Sequence, residues 1–180
     1  MKLSSLINGP RLSLKPMSVD HAFGPYQNWL NDPEIVKNLE AERCVYTPQD
    51  ILEYIENTNK SHDQLLLAIC VKDTDVHIGN IKIQLCASHK RGSIGIIIGE
   101  KECWGQGYAS EAISLLSEYS FSDLGLHKIT AGCYSRNVGS EKAFLKAGYA
   151  VECRRKNHYW IDDEWVDGIF LCRFKSDART

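Results

Sequence analysis

Gly105 and Gly107 stand one residue apart in the stretch GEKECWGQGYASEA (99–112), where a buried-strand pattern gives way to an amphipathic-helix pattern. A helix that starts near Tyr108 leaves its first main-chain N–H groups without partners, and its dipole adds positive partial charge there. Glycine carries no Cβ, so an anion can approach those amides closely. This arrangement suits a phosphate-bearing ligand; a tight strand-to-helix turn with no ligand is the other reading that two glycines allow. Two phosphate-binding motifs do not fit. A Walker A loop needs Lys after its last glycine, and neither glycine has one. A dinucleotide fingerprint needs a third glycine where Ser110 stands, and a longer doubly wound sheet than the remaining chain can build.

The elements around this turn alternate between strand and helix periods. RLSLK (11–15) alternates as a strand. A helical pattern over 19–30 is interrupted by Gly24 and Pro25. Asp32 with Pro33, and Thr47 with Pro48, give two helix starts of N-cap plus proline, over 31–39 and 47–60. QLLLAICVK (64–72) is a continuous apolar run, as in a strand buried on both faces. HIGNIKIQLC (77–86) alternates in part, and SIGIIIGE (93–100) sets Ile94, Ile96 and Ile98 on one face and Gly95, Ile97 and Gly99 on the other. Ala109, Ala112, Ile113, Leu116 and Tyr119 recur at helical spacing over 108–124. A strand (128–134), a helix ending at Gly148 (137–148) and two strands (149–156 and 167–174), with a turn near 160–165, complete the chain. The order implies a mixed sheet with helices packed on it, an α/β sandwich.

The chain has 180 residues, 43% apolar and 24% charged, with no repeat or linker, so residues 1–180 read as a single domain. A net charge of −2 gives no electrostatic case for nucleic acid or an anionic membrane as partner. No apolar run approaches the roughly 20 residues of a membrane span. MKLSSLINGPRLSL lacks the apolar core of a secretory signal, Lys2 stands where myristoylation needs glycine, and the chain has no CaaX ending. The seven cysteines (44, 70, 86, 103, 133, 153 and 172) form no C-x-x-C pair and no zinc pattern. They read as reduced thiols of a cytoplasmic protein without a metal; Cys103, beside the glycine turn, is the one placed to react.

W-G-Q-G-Y-A-S-E-A (104–112) resembles the acyl-CoA-binding loop of the GNAT superfamily of N-acetyltransferases, in particular its RimJ/RimL-like branch. YQNWLNDPEIVK (26–37), HIGNIKI (77–83), HKITAGCYSRNVGSEKAFLKAGY (127–149) and VDGIFLCRF (166–174) are similar to further ordered motifs of that branch. The resemblance implies a mixed, mostly antiparallel sheet of six to seven strands flanked by helices. It implies acetyl-CoA as co-substrate, a primary amine as acceptor and a homodimer as a common assembly. It places the CoA diphosphate on the amides of Gly105, Gln106, Gly107, Tyr108, Ala109 and Ser110, with Trp104 just ahead. The pantetheine arm falls along Ile97, Ile98 and Gly99, where the fourth strand splays from the fifth, with the thioester carbonyl at an N–H near Ile98. Asn137 matches the asparagine that holds the pantetheine arm; a plain helix N-cap is its other reading.

Two departures stand out. Glu102 occupies the loop position at which the family carries Arg or Gln. Phe144 stands where many members have a proton-donating tyrosine; it can touch the cofactor but gives no proton. The resemblance then points to Ser140, three residues after Asn137, as the acid, and to His158 in NHYW as the base. The unperturbed imidazole pKa of about 6.5 suits that task. Glu100, Glu102 and a water relay remain as other proton acceptors. The acceptor stays open between a protein N-terminal α-amine and a small amine such as an amino-sugar nucleotide, polyamine or aminoglycoside. A non-catalytic acetyl-CoA-binding module is the reading from another class, since fold does not fix function.

Overall fold

The computed structural model describes residues 6–39 and 44–176; the first five residues of the N-terminal stretch and the last four of the chain lie outside them. Eight strands form one sheet: β1 (Ile7–Asn8), β2 (Leu12–Pro16), β3 (Gln64–Val71), β4 (His77–Cys86), β5 (Arg91–Ile98), β6 (Lys128–Tyr134), β7 (Ala150–Ile161) and β8 (Glu164–Phe174). Their order is β1-β2-β3-β4-β5-β6-β8-β7, antiparallel throughout except for β5 beside β6. The fold class is the one expected. The strand beyond the expected seven is β1, two residues that pair with Ser13 and Leu14 and are too short to leave a pattern in sequence.

Among the described residues five helices cover the sheet: α1 (Tyr26–Leu30), α2 (Pro33–Val36), α3 (Pro48–Lys60), α4 (Tyr108–Ser122) and α5 (Val138–Lys146). The break at Gly24–Pro25 divides the 19–30 region into a 3-10 turn (Val19–Phe23) and α1. Thr47 starts α3 as a capping box. Its hydroxyl accepts from the Asp50 N–H, and Asp50 Oδ2 accepts from the Thr47 N–H at 2.7 Å.

β3 is buried on both faces because a separate apolar cluster packs each side. Leu65, Leu67 and Ile69 join Ile81, Ile94, Ile113 and Leu116 under α4 and α5. Leu66, Ala68 and Cys70 join Trp29, Ile51 and Ile55 under α1 and α3. No described helix is long and apolar enough to cross a membrane.

The feature that positions the site is the incomplete union of β5 and β6. Only Arg91–Ser93 pair with Lys128–Thr130; beyond that the strands part. β4 continues to pair with β5 up to Ile98, while β6 runs on with β8 as far as Tyr134. The opening lies between Ile94–Ile98 on one side and Ala131–Tyr134 on the other.

Candidate functional site

β5 leads into a 3-10 turn (Lys101–Cys103), and the chain then passes through two left-handed glycines into α4. Gly105 has φ +73° and Gly107, the N-cap of α4, has φ +82°, a region that other residues enter at a cost. Among the described residues, no acceptor meets the main-chain N–H of any residue from Gly105 to Ser110. Six consecutive donors therefore lie at and just before the positive end of a 15-residue helix.

A cleft of about 620 Å³ starts at these donors and follows the gap between β5 and β6. Of the residues singled out by sequence, Ile97, Ile98, Trp104, Gly105, Gly107, Tyr108, Ala109, Ser110, Asn137 and Ser140 line it. The Gly99 N–H donates back to Ile78 of β4 at 2.9 Å. Strand alternation then turns the Ile98 N–H and C=O to the opposite edge, into the gap. The Ile98 carbonyl is met there by Trp104 Nε1 at 2.8 Å.

Asn137 caps α5: its Oδ1 accepts from the Ser140 N–H at 3.1 Å, and its Nδ2 has no acceptor among the described residues. The Ser140 hydroxyl lies by the Cys133 thiol, which burial pushes up and Ser140 pulls partly back.

The other four residues lie off the cleft wall. Gly99 is packed under Trp29: a Cβ on it would stand 1.9 Å from Trp29 Cδ2. Gln106 turns its amide to the Glu102 carbonyl. Phe144 is 2% exposed, part of the core under α4 and edge-to-face with Tyr149 at 5.1 Å. His158 is exposed on β7, its ring against Tyr159 and Phe170. Helical spacing is enough to place Phe144 in the core; nothing local in NHYW tells which way a strand-end imidazole turns.

Glu100 and Glu102 line a smaller pocket beside α1 and α2, where Glu100 Oε1 accepts from Trp29 Nε1 at 3.0 Å. Cys103 lines the main cleft, but burial and the carboxylates of Glu100 and Glu102 push its thiol up, away from the reactive thiolate. Tyr149 is not among the residues that line the cleft. Its hydroxyl is buried against Ser117 Oγ at 2.8 Å, and burial raises its pKa to about 12.

Sequence reading missed the charged lining of the cleft. Glu34 and Lys37 come from the α2 region, Arg136 from the end of β6, and Lys142 and Lys146 from α5. Only the last two left a trace, as cations four residues apart on one helix face. Glu34 is paired with Lys101 at 2.7 Å. Arg136 ties Asp162 and Glu164, each at 3.2 Å, to the Lys37 carbonyl, so two carboxylates of the β7–β8 rim are already engaged. No unpaired carboxylate faces the cleft among the described residues.

Comparison with known proteins supplies an independent line. The acetyltransferase (GNAT) domain family model matches residues 11–150. The relative named uncharacterized N-acetyltransferase p20, from Bacillus licheniformis, is 32% identical over 145 residues, which is 79% of this chain and 80% of that protein. The spermidine N-acetyltransferase of Vibrio cholerae, solved with CoA and spermine, superposes with a TM-score of 0.84 at 19% identity, covering 93% of this chain and 98% of that one. The ribosomal-protein-S5-alanine acetyltransferase of Vibrio fischeri gives 0.82 at 17% identity, covering 98% and 100%.

Proposed function

The chain belongs to the GNAT family of acetyl-CoA-dependent N-acetyltransferases, and from that premise we propose that it acetylates a single primary amine, foremost the α-amine of a protein N-terminus, in a ternary complex. The observation that carries the reading is the row of unpaired N–H groups from Gly105 to Ser110, opening onto a cleft that runs past the free edge of β5. The six donors and the two Cβ-free positions fit a diphosphate. The narrow gap beyond them, walled by Ile96, Ile97 and Ile98, fits a pantetheine arm.

Bound there, acetyl-CoA supplies an activated acyl thioester. The chain's own groups do the rest. The Ile98 N–H faces the gap and donates to the thioester oxygen as negative charge gathers on it, which is the oxyanion-hole role. Asn137 Nδ2 is free to hold the pantetheine arm. Ser140 lines the cleft and donates its hydroxyl proton to the departing sulfur while water returns a proton to its oxygen. The amine must be neutral to attack, and its proton leaves through water at the open mouth; His158, outside the lining, reaches it only through solvent.

Among the described residues no free base lines the cleft, which favours one acceptor class. An α-amine has a pKa of about 8 and is partly neutral at physiological pH, whereas a lysine-like or polyamine nitrogen, near 10.4, is almost wholly charged. A polyamine also calls for unpaired carboxylates, and among the described residues Glu34 in the cleft and Asp162 and Glu164 on its rim already have cationic partners. The spermidine enzyme shares the fold, and fold alone does not carry the substrate across.

The test is release of free CoA thiol with a panel of peptides, spermidine, amino sugars and aminoglycosides. Peptide α-amines are expected to give the highest kcat/KM. Faster turnover of spermidine would overturn the acceptor reading, and CoA binding with no turnover of any amine would favour a non-catalytic module. Ser140→Ala is expected to lower kcat by about 10² without changing KM for acetyl-CoA; an unchanged kcat would return the hydroxyl to a packing role beside Cys133.

A further inference from the structure

The glycine loop supplies amides for a diphosphate but no cationic side chain of its own. Glu102 stands at the loop position where the resembling proteins carry Arg or Gln. It is exposed and lines the smaller pocket beside α1 and α2, not the cleft. Two cations from distant parts of the chain approach the loop instead. The point at which a Cβ on Gly107 would stand is 3.4 Å from Lys146 Nζ, 3.7 Å from Arg11 Nη2 and 3.9 Å from Ser110 Oγ.

Arg11, immediately before β2, is held for this position. Its Nε donates to Glu111 Oε2 at 2.7 Å, its Nη1 donates to the Gln106 carbonyl at 3.0 Å, and its guanidinium lies 4.5 Å from the centroid of the Tyr108 ring. Glu111 Oε1 also accepts from the N–H groups of Arg11 and Leu12, so the carboxylate is shared among several donors. Arg11 Nη2 keeps no acceptor among the described residues. Lys146, in the last turn of α5, lines the cleft and has no ion pair among them. A guanidinium and an ammonium thus both lie within 4 Å of one Cβ-free position at the head of α4. The arrangement offers two cationic donors for charge-assisted hydrogen bonds to a phosphate oxygen.

We propose that Arg11 and Lys146 together hold the diphosphate of CoA beside Gly107, supplying the positive charge that position 102 does not. The inference rests on reading the cleft as the CoA site, and its test separates the two claims. CoA and dephospho-CoA both carry the diphosphate and differ only in the 3′-phosphate, so each is titrated calorimetrically into wild type, Lys146→Met, Lys146→Arg and Arg11→Lys. Lys146→Met is expected to weaken both ligands by the same factor of about ten. Lys146→Arg should stay within about threefold of wild type, and Arg11→Lys, which cannot hold the Glu111 and Gln106 contacts together, should lose affinity for both ligands alike.

Raising the salt from 50 to 300 mM should cost wild type more affinity than Lys146→Met, because screening removes what the variant already lacks. Lys146 sits on a helix exterior, so that variant tests the paired contact even where an Arg11 change disturbs folding. Affinities within twofold of wild type in both Lys146→Met and Arg11→Lys would overturn the paired contact. So would a Lys146→Met loss confined to CoA, which would move the contact to the 3′-phosphate. Wild type that binds neither ligand would overturn the reading of the cleft itself.

Discussion

Gly99 and Gly107 stand eight residues apart, on either side of one turn, and both lack a Cβ in a crowded place. At the end of β5 the protein fills the space itself. Trp29 lies on Gly99 so closely that an added Cβ would meet its indole carbons at 1.9 and 2.3 Å. Trp29 also contacts His77 and holds Glu100, which ties α1 to the sheet. At the head of α4 the position beside Gly107 is met only at ordinary contact distances of 3.4–3.9 Å, by two cations and a hydroxyl, with unpaired amides alongside. The comparison teaches that a glycine marks a close approach without saying what approaches. The surroundings decide: apolar carbon at Gly99, donors and positive charge at Gly107.

The largest effect expected on this contrast is from Gly107→Val. A branched side chain would stand where the phosphate enters, and CoA affinity should fall by about 100-fold or more, over 2.7 kcal/mol. The left-handed backbone adds a stability cost of about 1–3 kcal/mol, so affinity is measured well below Tm. Unchanged affinity would break the contrast at Gly107.

Gly99→Ala should act the other way, on stability. Overpacking against Trp29 costs about 1–3 kcal/mol, a fall in Tm of roughly 2–12 °C for a chain of this size. Gly95→Ala, where no atom lies within 4 Å, should move stability by less than about 0.5 kcal/mol. Equal Tm values for the two variants would show that Trp29 does not fill the space as described.

The smallest effect is a pH dependence centred on the filled side. Burial holds the His77 imidazole below its ordinary pKa, and the charge of nearby His21 works in the same direction, while Asn80 opposes it through a 2.8 Å hydrogen bond. The native state therefore favours neutral His77, and the unfolded chain takes up the proton first. This contribution is present above about pH 6.5 and is lost as pH falls through the lower native value. His77→Gln should flatten the fall in stability between pH 7 and pH 5; an identical slope in the variant would remove His77 as its source.

Local pattern made much of this molecule legible. β6 spans the residues its pattern marks, 128–134, and Thr47–Pro48 opens α3 as its capping residues indicate. The apolar run of β3 meant burial on both faces. The glycine pair was recognisable because one short segment contains both the turn and the helix start. What stayed hidden depends on contacts distant in sequence. Trp29 reaches Gly99 across 70 residues, and Arg11 and Lys146 reach Gly107 from just before β2 and from α5, so no window of sequence contains these pairs. β7 shows the same limit. Ala150–His158 is exposed along its length, leaving no alternation to say which way His158 points.

The central claim, that the main-chain donors from Gly105 to Ser110 and the gap between β5 and β6 form one CoA site, is tested most directly by a crystal structure of the wild-type protein with CoA. The account predicts the diphosphate on those six N–H groups and the pantetheine arm running along Ile96–Ile98, its thiol end beside Ile98 and Ser140. CoA found at the smaller pocket beside Trp29, or bound with its diphosphate away from Gly107, would contradict it.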